Sequence, residues 1–414
     1  MNRRHFFKNS VLSSGSFLLS NCVSAKTPPS VFAPMQTNFL DKIRQNIIQK
    51  ITSPVIIETI ELVRAEKKIF AMVRAKGTDA VGITVCNERM DNLHSLVKGL
   101  IVPFYVGKDA REIVTLCEDV FTDERNYKYG GMPFWNSAGS IEIAIWDLLG
   151  RIAEQPVHQF LGKKIRNEVP AYLSSLTRDT TAEQETQFLK QKLAETGAKA
   201  VKIKVGGRMK NTPEAEVRTQ AFVPMARKVL GDDITIYADA NGSYTPEEGI
   251  RIAKLLEING IDVFEEPCSW ENYAGNRQVH KTLKKMKLAG GEQDSSWWRW
   301  LDIAQTDVYS VLQPDLYYNG GIIRALKVAH LAAANGKYFA PHSPKADPLF
   351  APFSQVIAVA PSVYGFQEYP SKPAKQPNWY APHITVKNGQ LPILDGIGLG
   401  IEYDKQVLEK GEKI

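Results

Sequence analysis

Cysteine is scarce in this chain: there are four among 414 residues, and no two are spaced as Cys-x-x-Cys. The sequence therefore predicts neither a zinc ribbon nor a disulfide framework. Lysine and arginine outnumber the acidic residues by only 51 to 45, without a basic block, so the composition gives no case for nucleic-acid binding. No apolar run is long enough to span a bilayer, and no transmembrane segment is predicted.

The first 25 residues differ in character from the rest. Arg3 and Arg4 precede aromatic residues, a mildly apolar stretch covers residues 11–20, and small residues follow at 23–25. This order is typical of a Tat-type export signal and predicts a periplasmic protein, with a disordered extension as the alternative. Cys22 follows a poor lipoprotein box, so lipidation is less favoured than release. Cys86, Cys117 and Cys268 remain, an odd number that favours buried thiols.

Two stretches of different pattern follow the signal. Residues 26–55 are predicted to link the signal to the body. Residues 56–165 are predicted to form an α+β domain, because alternating residues from Ile56 to Cys86 are typical of antiparallel strands. Helical patterns then cover residues 91–100, 109–121 and 137–153.

The second half of the chain carries a repeat. Seven short apolar runs each end in an ionisable residue: Lys204, Asp239, Glu265, Glu292, Asp315, His342 and Glu368. After a first step of 35 residues the intervals are 26, 27, 23, 27 and 26, the length of one strand, one helix and two loops. The strands are predicted at residues 169–173, 200–205, 234–239, 263–266, 287–290, 308–312, 338–341 and 365–368.

This repeat predicts a parallel βα barrel over residues 166–370. The alternative is an open doubly wound sheet. Against it, no Gly-x-Gly-x-x-Gly follows the first strand, and ionisable residues mark nearly every strand end instead of one switch point. In a barrel these side chains would meet at the C-terminal mouth, where barrel enzymes keep their chemistry. Residues 371–414 are expected to return to the first domain.

Three acids end successive strands, at Asp239, Glu265 and Glu292. Converging carboxylates would suit Mg²⁺ or Mn²⁺, whereas a single acid at a strand end is commonly a helix cap or a surface ion pair. Strand alternation predicts that Glu265 faces the pocket and that Glu266 faces away from it.

Basic residues end other strands. Lys202 and Lys204 share one face of a strand, where each would lower the pKa of the other and leave one able to accept a proton. The alternative is a solvated pair on an edge strand. Asp315 is expected to orient His342 as an acid or base, although a histidine after Ala340-Pro341 is also consistent with a structural role. Glu368, if its pKa is raised, would donate a hydrogen bond to an oxyanion.

Together these residues resemble the mandelate racemase subgroup of the enolase superfamily. The motifs are Lys202-x-Lys204, Asp239-x-Asn241, Glu265-Glu266-Pro267, Gly291-Glu292, Asp315 and His342, and residues 140–148 resemble its capping-helix signature. The resemblance implies an α/β fold, a modified TIM barrel (β/α)₇β with an N-terminal α+β capping domain, and one Mg²⁺. It also implies metal ligands at Asp239, Glu265 and Glu292, and acid/base roles for Lys204 and for His342 with Asp315. Glu368 corresponds to the glutamate that follows the last strand in that family. Substrate contacts are implied for Lys202 and Asn241.

The common first step of that family is removal of the proton α to a carboxylate. We expect dehydration of a sugar acid to a 2-keto-3-deoxy acid, with racemisation, epimerisation or cycloisomerisation as alternatives on the same enediolate. Rivals from other classes are an exported sugar-acid binding protein and a Schiff-base aldolase. The partner is then a small carboxylate substrate, and barrels of this type often form homo-oligomers. Substrate choice is expected to involve Trp297, Trp298 and Trp300; the alternative is that these tryptophans form the start of a helix packed on the barrel. His94 and Tyr105 are weaker candidates for the same role.

Overall fold

The structure is a computed structural model that describes residues 38–414. The predicted export signal and Cys22 lie outside the described residues. Within residues 38–414, no helix combines the length and apolar character needed to cross a membrane. Cys86, Cys117 and Cys268 are free and buried, as predicted.

The described chain begins with a packed helix, α1 (Asn38–Lys50), inside the stretch predicted as a linker. Leu40, Ile43 and Ile47 recur at helical spacing and are buried. The amide of Asn46 donates to the carbonyl of Phe160 at 2.9 Å. This part of the predicted linker therefore belongs to the body of the protein.

An antiparallel sheet follows, as predicted. Its strands are β1 (Ile57–Ala65), β2 (Lys68–Ala75) and β3 (Val81–Val85). Glu66 and Lys67 form the turn between β1 and β2, with φ of 49° and 59°. Two positive φ angles in a two-residue loop are the mark of a type I′ hairpin.

Helices complete the first domain: α2 (Met90–Leu96), α3 (Val102–Tyr105), α4 (Ile113–Thr122), α5 (Met132–Ile152) and α6 (His158–Leu161). A π-helical turn, Val97–Ile101, joins α2 to α3. Helix α5 starts five residues before the prediction, because Pro133 suits a first helical turn. Its residues 134–150 are all buried.

The remaining chain forms the predicted barrel of parallel strands. These are β4 (Glu168–Ser174), β5 (Ala200–Lys204), β6 (Thr235–Asp239), β7 (Val263–Glu265), β8 (Lys287–Gly290), β9 (Val311–Leu312), β10 (Tyr338–Phe339) and β11 (Gln367–Pro370). They pair in the order β10-β9-β8-β7-β6-β5-β4-β11. A bridge from Phe339 to Val363, just before β11, brings the sheet back toward its start. Strands β9 and β10 are shorter than predicted, and β11 lies two residues later.

Helices alternate with these strands: α7 (Ala182–Thr196), α8 (Pro213–Leu230), α9 (Pro246–Ile258), α10 (Tyr273–His280), α11 (Trp297–Gln305), α12 (Leu316–Asn319), α13 (Ile322–Ala334) and α14 (Ala351–Val359). Capping boxes start two of them: Thr181 with Gln184 begins α7, and Thr245 with Glu248 begins α9.

The C-terminal segment contributes β12 (Tyr380–Ala381), β13 (Gln390–Pro392), β14 (Glu402–Tyr403), α15 (Lys405–Glu409) and β15 (Glu412–Lys413). Strand β13 pairs antiparallel with β4, and β12 pairs with β14. Lys413 of β15 lies opposite Val63 of β1, so the end of the chain adds a strand to the sheet of the first domain.

Candidate active site

The parallel register sets three of the singled-out residues in one row. Lys204 is the partner of Asp239 across β5 and β6, and Asp239 is the partner of Glu265 across β6 and β7. Because neighbouring residues in register point to the same side of a sheet, these side chains share the barrel interior at its C-terminal end. The same alternation places Lys202 one layer deeper.

Lys202 lies beneath the site, only 1% exposed. Its Nζ lies 2.7 Å from Glu265 Oε1, 2.9 Å from Glu368 Oε1 and 3.9 Å from Asp239 Oδ2. Burial lowers its pKa, but Glu265 and Glu368 outweigh burial and raise the pKa well above its usual value. Lys202 therefore stays charged, so it is not the lysine of the pair that accepts a proton, and its expected action on Lys204 stays a prediction.

Lys204 contacts the carboxylate and amide that follow on β6. Its Nζ forms an ion pair with Asp239 Oδ2 and donates to Asn241 Oδ1 at 3.3 Å. Asn241 has φ of 43° and donates its own backbone N–H to Asp239 Oδ1 at 2.8 Å. Arg178 donates to the same Asn241 Oδ1 at 3.0 Å, which fixes the orientation of this amide.

His342 stands between two carboxylates. Its Nδ1 lies 3.0 Å from Asp315 Oδ2, and its Nε2 lies 3.2 Å from Glu292 Oε2. Burial lowers the pKa of the ring, but Glu292, Asp315 and Glu368 raise it to about 9. Asp315 also accepts from the backbone N–H of Tyr317 at 2.9 Å, so a capping interaction holds its carboxylate in place.

Glu368 is buried beside Lys202, and its Oε2 lies 3.9 Å from His342 Nε2. Burial raises its pKa, but Lys202, His342 and Lys204 outweigh burial and lower the pKa to about 2. The expectation of a protonated Glu368 that donates to an oxyanion is therefore wrong. This carboxylate acts as an acceptor, here from the backbone N–H of Ser343 at 3.3 Å.

The adjacent acids Glu265 and Glu266 both face the site, which corrects the prediction that Glu266 faces away. Glu265 Oε2 accepts from Gln313 Nε2 at 3.0 Å. Glu266 follows the end of β7 with φ of 41°, and this left-handed turn replaces the strand alternation on which the prediction depended. Burial, followed by Glu292 and Asp239, raises the pKa of Glu266 well above its usual value. Its buried Oε1 has no hydrogen-bond partner among residues 38–414.

A cavity of about 430 Å³ opens above these groups. Six residues named above line the cavity: Lys204, Asn241, Glu266, Glu292, His342 and Glu368. The rest of its lining consists of Glu88, Arg89, Leu176, Arg208, Met209, Trp270, Gln293, Tyr318, Pro344 and Lys345. The first domain thus contributes Glu88 and Arg89. The guanidinium of Arg89 lies 4.6 Å from the ring of Tyr318.

The tryptophans singled out in the sequence do not line this cavity. Trp300 is fully buried and packs against Gly291, where a Cβ would lie 2.6 Å from the indole ring. It thereby supports the chain just before Glu292. The neighbouring Trp297 and Trp298, like His94 and Tyr105, are absent from the lining, whereas Trp270 is part of it.

Gln313, Glu266 and Trp270 are among the site residues that sequence reasoning missed. Gln313 had a usable signal, because it directly follows the strand predicted at residues 308–312, where the side chains of a barrel reach its C-terminal mouth. Glu266 had none, since a backbone turn decides its direction.

Each of the three expected metal ligands contacts a basic side chain in this structure. Asp239 pairs with Lys204, Glu265 with Lys202, and Glu292 with His342. Within residues 38–414, no three acidic, histidine or cysteine side chains are grouped closely enough to hold one ion as they stand. The donor chemistry of carboxylates nevertheless suits a hard divalent cation, and the unpartnered Oε1 of Glu266 is an oxygen that a cation would satisfy.

Comparison with known proteins gives the family. The model of the family described as enolase C-terminal domain-like matches residues 185–407, more than half of the chain. The chain is 25% identical to the arabinonate dehydratase of Saccharolobus solfataricus over 325 residues, which is 77% of this chain and 83% of that protein. It is 29% identical to the D-galactarolactone cycloisomerase of Agrobacterium fabrum over 321 residues, or 73% of this chain and 80% of that protein.

The fold also matches solved structures. The mandelate racemase/muconate lactonizing protein of Paracoccus denitrificans PD1222, solved complexed with magnesium, superimposes with a TM-score of 0.76 at 22% identity, covering 87% of this chain and 98% of that one. The barrel, its capping domain and the family match agree with one another. The chain is a mandelate racemase-like member of the enolase superfamily, and an enzyme.

Proposed function

We propose that this enzyme removes the proton α to the carboxylate of a sugar acid and expels the β-hydroxyl as water, which gives a 2-keto-3-deoxy acid. The observation that carries the proposal is that Lys204, at the end of β5, and His342, in the loop that follows β10, line one cavity. In the sheet order these strands are separated by β4 and β11 on one side and by β6 to β9 on the other. A substrate between them would meet a nitrogen base on each face.

The proton transfers follow from this placement. Lys204, once released from Asp239, would take the α-proton, and the electron pair of that C–H bond would move toward the carboxylate. His342 would protonate the β-hydroxyl, the C–O bond would break, and water would leave. Carboxylates at both ring nitrogens favour the doubly protonated imidazole, which is the starting state of an acid. The resulting enol would tautomerise to the ketone.

A divalent cation, Mg²⁺ or Mn²⁺, belongs to the proposal. Members of the enolase superfamily generally use Mg²⁺. Asp239, Glu265 and Glu292 would hold it, and when bound it would supply Lewis-acid stabilisation of the negative charge on the substrate carboxylate. This chain's own lysines then have to exchange their present carboxylate partners for a substrate.

The runner-up is cycloisomerisation or racemisation, which begins with the same proton removal. The 29% identity to a D-galactarolactone cycloisomerase favours it as the alternative. The experiment is a panel of sugar acids incubated with the purified enzyme and Mg²⁺ in D₂O, followed by NMR and mass spectrometry. Loss of water with a 2-keto product supports dehydration. Deuterium at Cα without loss of water indicates racemisation. No exchange on any acid would contradict the proposal.

The other rivals fit the site less well. A Schiff-base aldolase needs an unpaired neutral lysine, whereas the charge of Lys202 is matched by Glu265 and Glu368. A binding protein needs no acid/base pair, whereas His342 is oriented by Asp315 as an acid or base would be. We also propose that the chain is exported through the signal at Arg3 and Arg4.

A further inference from the structure

A second cavity, here called the annex, lies beside the candidate active site. Its volume is about 850 Å³, and Ser175 and Ser371, which follow the ends of β4 and β11, belong to its lining. Leu176 and Arg208 line both the annex and the candidate active site. These two residues therefore form the boundary that the annex and the candidate active site share.

The annex carries more positive than negative charge. Arg178, Arg208 and Lys372 line it, against the carboxylates of Asp179 and Glu185. The Oε2 of Glu185 already accepts from the hydroxyl of Thr180 at 2.8 Å. Arg208 and Lys372 are exposed, and neither makes an ion pair within residues 38–414.

The two guanidinium groups also disfavour each other. Arg208 lies near enough to Arg178 to act on it as a like charge. Arg178 spends its Nε and Nη2 on backbone carbonyls and Asn241, and no hydrogen bond from its Nη1 is formed within the described chain. An anion beside this pair would relieve the repulsion and accept from the unused N–H groups.

A buried hydroxyl marks the same wall. Ser175 is only 1% exposed, and its Oγ has no hydrogen-bond partner in the described structure. Buried polar groups are nearly always satisfied, so an orphan of this kind in the lining of a cavity indicates a missing polar ligand. Leu176 and the half-buried Phe188 give the rest of the wall an apolar character that would cover the carbon chain of such a ligand.

We propose that the annex binds a second anionic group at the far end of the substrate, so that the enzyme selects sugar acids with two anionic ends over sugar monoacids. This rests on the proposed function for the reacting end. Arg208, at the junction of the two cavities, is the specificity-determining residue, with Arg178 and Lys372 beside it. The distal group is a carboxylate or a phosphate, since both offer the same charge and acceptor geometry to a guanidinium.

Binding measured without turnover tests the annex. Calorimetry would compare adipate, hexanoate and 6-phosphooxyhexanoate, none of which has an α-hydroxyl, on the full enzyme with Mg²⁺. We expect adipate or the phosphate to bind about 10-fold more tightly than hexanoate, the value of one charge-assisted hydrogen bond or more. Arg208→Gln should abolish that preference, and Lys372→Gln should reduce it. Lys210→Gln, which removes a cation of the same loop outside both linings, should leave it unchanged.

The outcomes separate the annex from the reaction. Tighter binding of adipate identifies a carboxylate as the distal group, and tighter binding of the phosphate identifies a phosphate. Equal affinity for all three, or no binding at millimolar concentration, overturns the annex proposal. An equal loss for all three in Arg208→Gln overturns it too. If the preference for a dianionic ligand depends on Arg208 but no sugar acid exchanges deuterium, the proposed reaction is refuted and the annex proposal stands. If monoacids exchange deuterium and no dianionic ligand is preferred, the annex proposal is refuted and the proposed reaction stands.

Discussion

Asp315 holds the ring of His342 by one carboxylate oxygen while its other oxygen is held by the backbone: Oδ2 lies 3.0 Å from Nδ1, and Oδ1 accepts from the N–H of Tyr317 at 2.9 Å. A carboxylate at this distance favours a proton on Nδ1, and the ring is held with Nε2 toward Glu292. Asp315 thus orients the imidazole without facing the substrate.

Asp315→Asn is therefore expected to lower kcat about 10- to 100-fold with little change in KM, because the ring loses the carboxylate that orients it and supports its charge. An asparagine still accepts from the N–H of Tyr317, so the melting temperature should change little. Asp347→Asn, a capping aspartate of the following loop, is the matched control and should keep full kcat. A drop in melting temperature that accounts for the lost activity would argue against an orienting role.

Lys204→Met and His342→Asn should separate the two proton transfers. Each is expected to slow dehydration by about 10²- to 10⁴-fold, the usual contribution of a positioned acid or base. Lys204→Met should also lose deuterium exchange at Cα in D₂O, whereas His342→Asn should retain it. Retention of exchange by Lys204→Met and its loss in His342→Asn would reverse the two roles.

A divalent cation should stabilise the folded protein. At a free Mg²⁺ concentration 100 times its Kd, the gain is about 2.7 kcal/mol, and it would appear as a rise in melting temperature that EDTA reverses. Asp239→Asn and Glu292→Gln should lose most of this rise. Glu257→Gln serves as the control, since Glu257 lies on α9 and accepts from backbone N–H groups of residues 284 and 285, away from the cavity. An unchanged rise in both site variants would place the ion elsewhere.

Glu142 predicts a pH-dependent stability. It is buried in α5 and accepts from the backbone N–H groups of Ile322 and Ile323 at 2.9 and 3.0 Å, yet burial raises its pKa from 4.5 to about 7. The folded state therefore binds a proton more tightly than the unfolded state. Its stabilising contribution is complete below pH 4.5 and is lost as the pH rises through 7. Between pH 5 and 8 the melting temperature should fall more in the natural protein than in Glu142→Gln, and equal slopes would contradict the assignment.

Export makes a prediction of its own. Arg3→Lys together with Arg4→Lys should retain the full-length protein in the cytoplasm, because a twin arginine is what the predicted signal presents. Fractionation of cells that express either form measures this directly. If the exported protein is released without a lipid, the masses of the exported natural protein and of Cys22→Ser should differ by no lipid group. Equal export of the double-lysine form would contradict a Tat route.

The barrel was predictable because the ionisable residues at its strand ends recur at nearly regular intervals in the sequence. Parallel strands joined by helices force an interval near 26 residues, and Lys204, Asp239 and Glu265 fall into register as that interval requires. Charge balance was not predictable in the same way. Lys202 and Glu368 are 166 residues apart in sequence and meet from β5 and β11, the two strands on either side of β4. Their mutual stabilisation raises the pKa of Lys202 and lowers that of Glu368.

Local backbone turns explain the other differences. Glu266 enters the site because its φ is positive, which side-chain pattern alone does not reveal. Trp270 reaches the cavity from the loop after β7. Of the more prominent tryptophans of α11, Trp300 is fully buried and Trp298 is exposed, and neither lines the cavity. Loops decide the lining of a barrel mouth, and their course depends on tertiary contacts instead of periodicity.

The tight turn at Glu66 and Lys67 limits how the mouth can close. Two residues leave that hairpin no slack with which to reach across the barrel, so it is unsuited to serve as a flap. Among the described residues, Glu88 and Arg89 of the first domain and Arg208 and Met209 of the barrel are part of the cavity lining. Two arginine-bearing segments thus face one cavity, and a small anion bound between them would favour their approach.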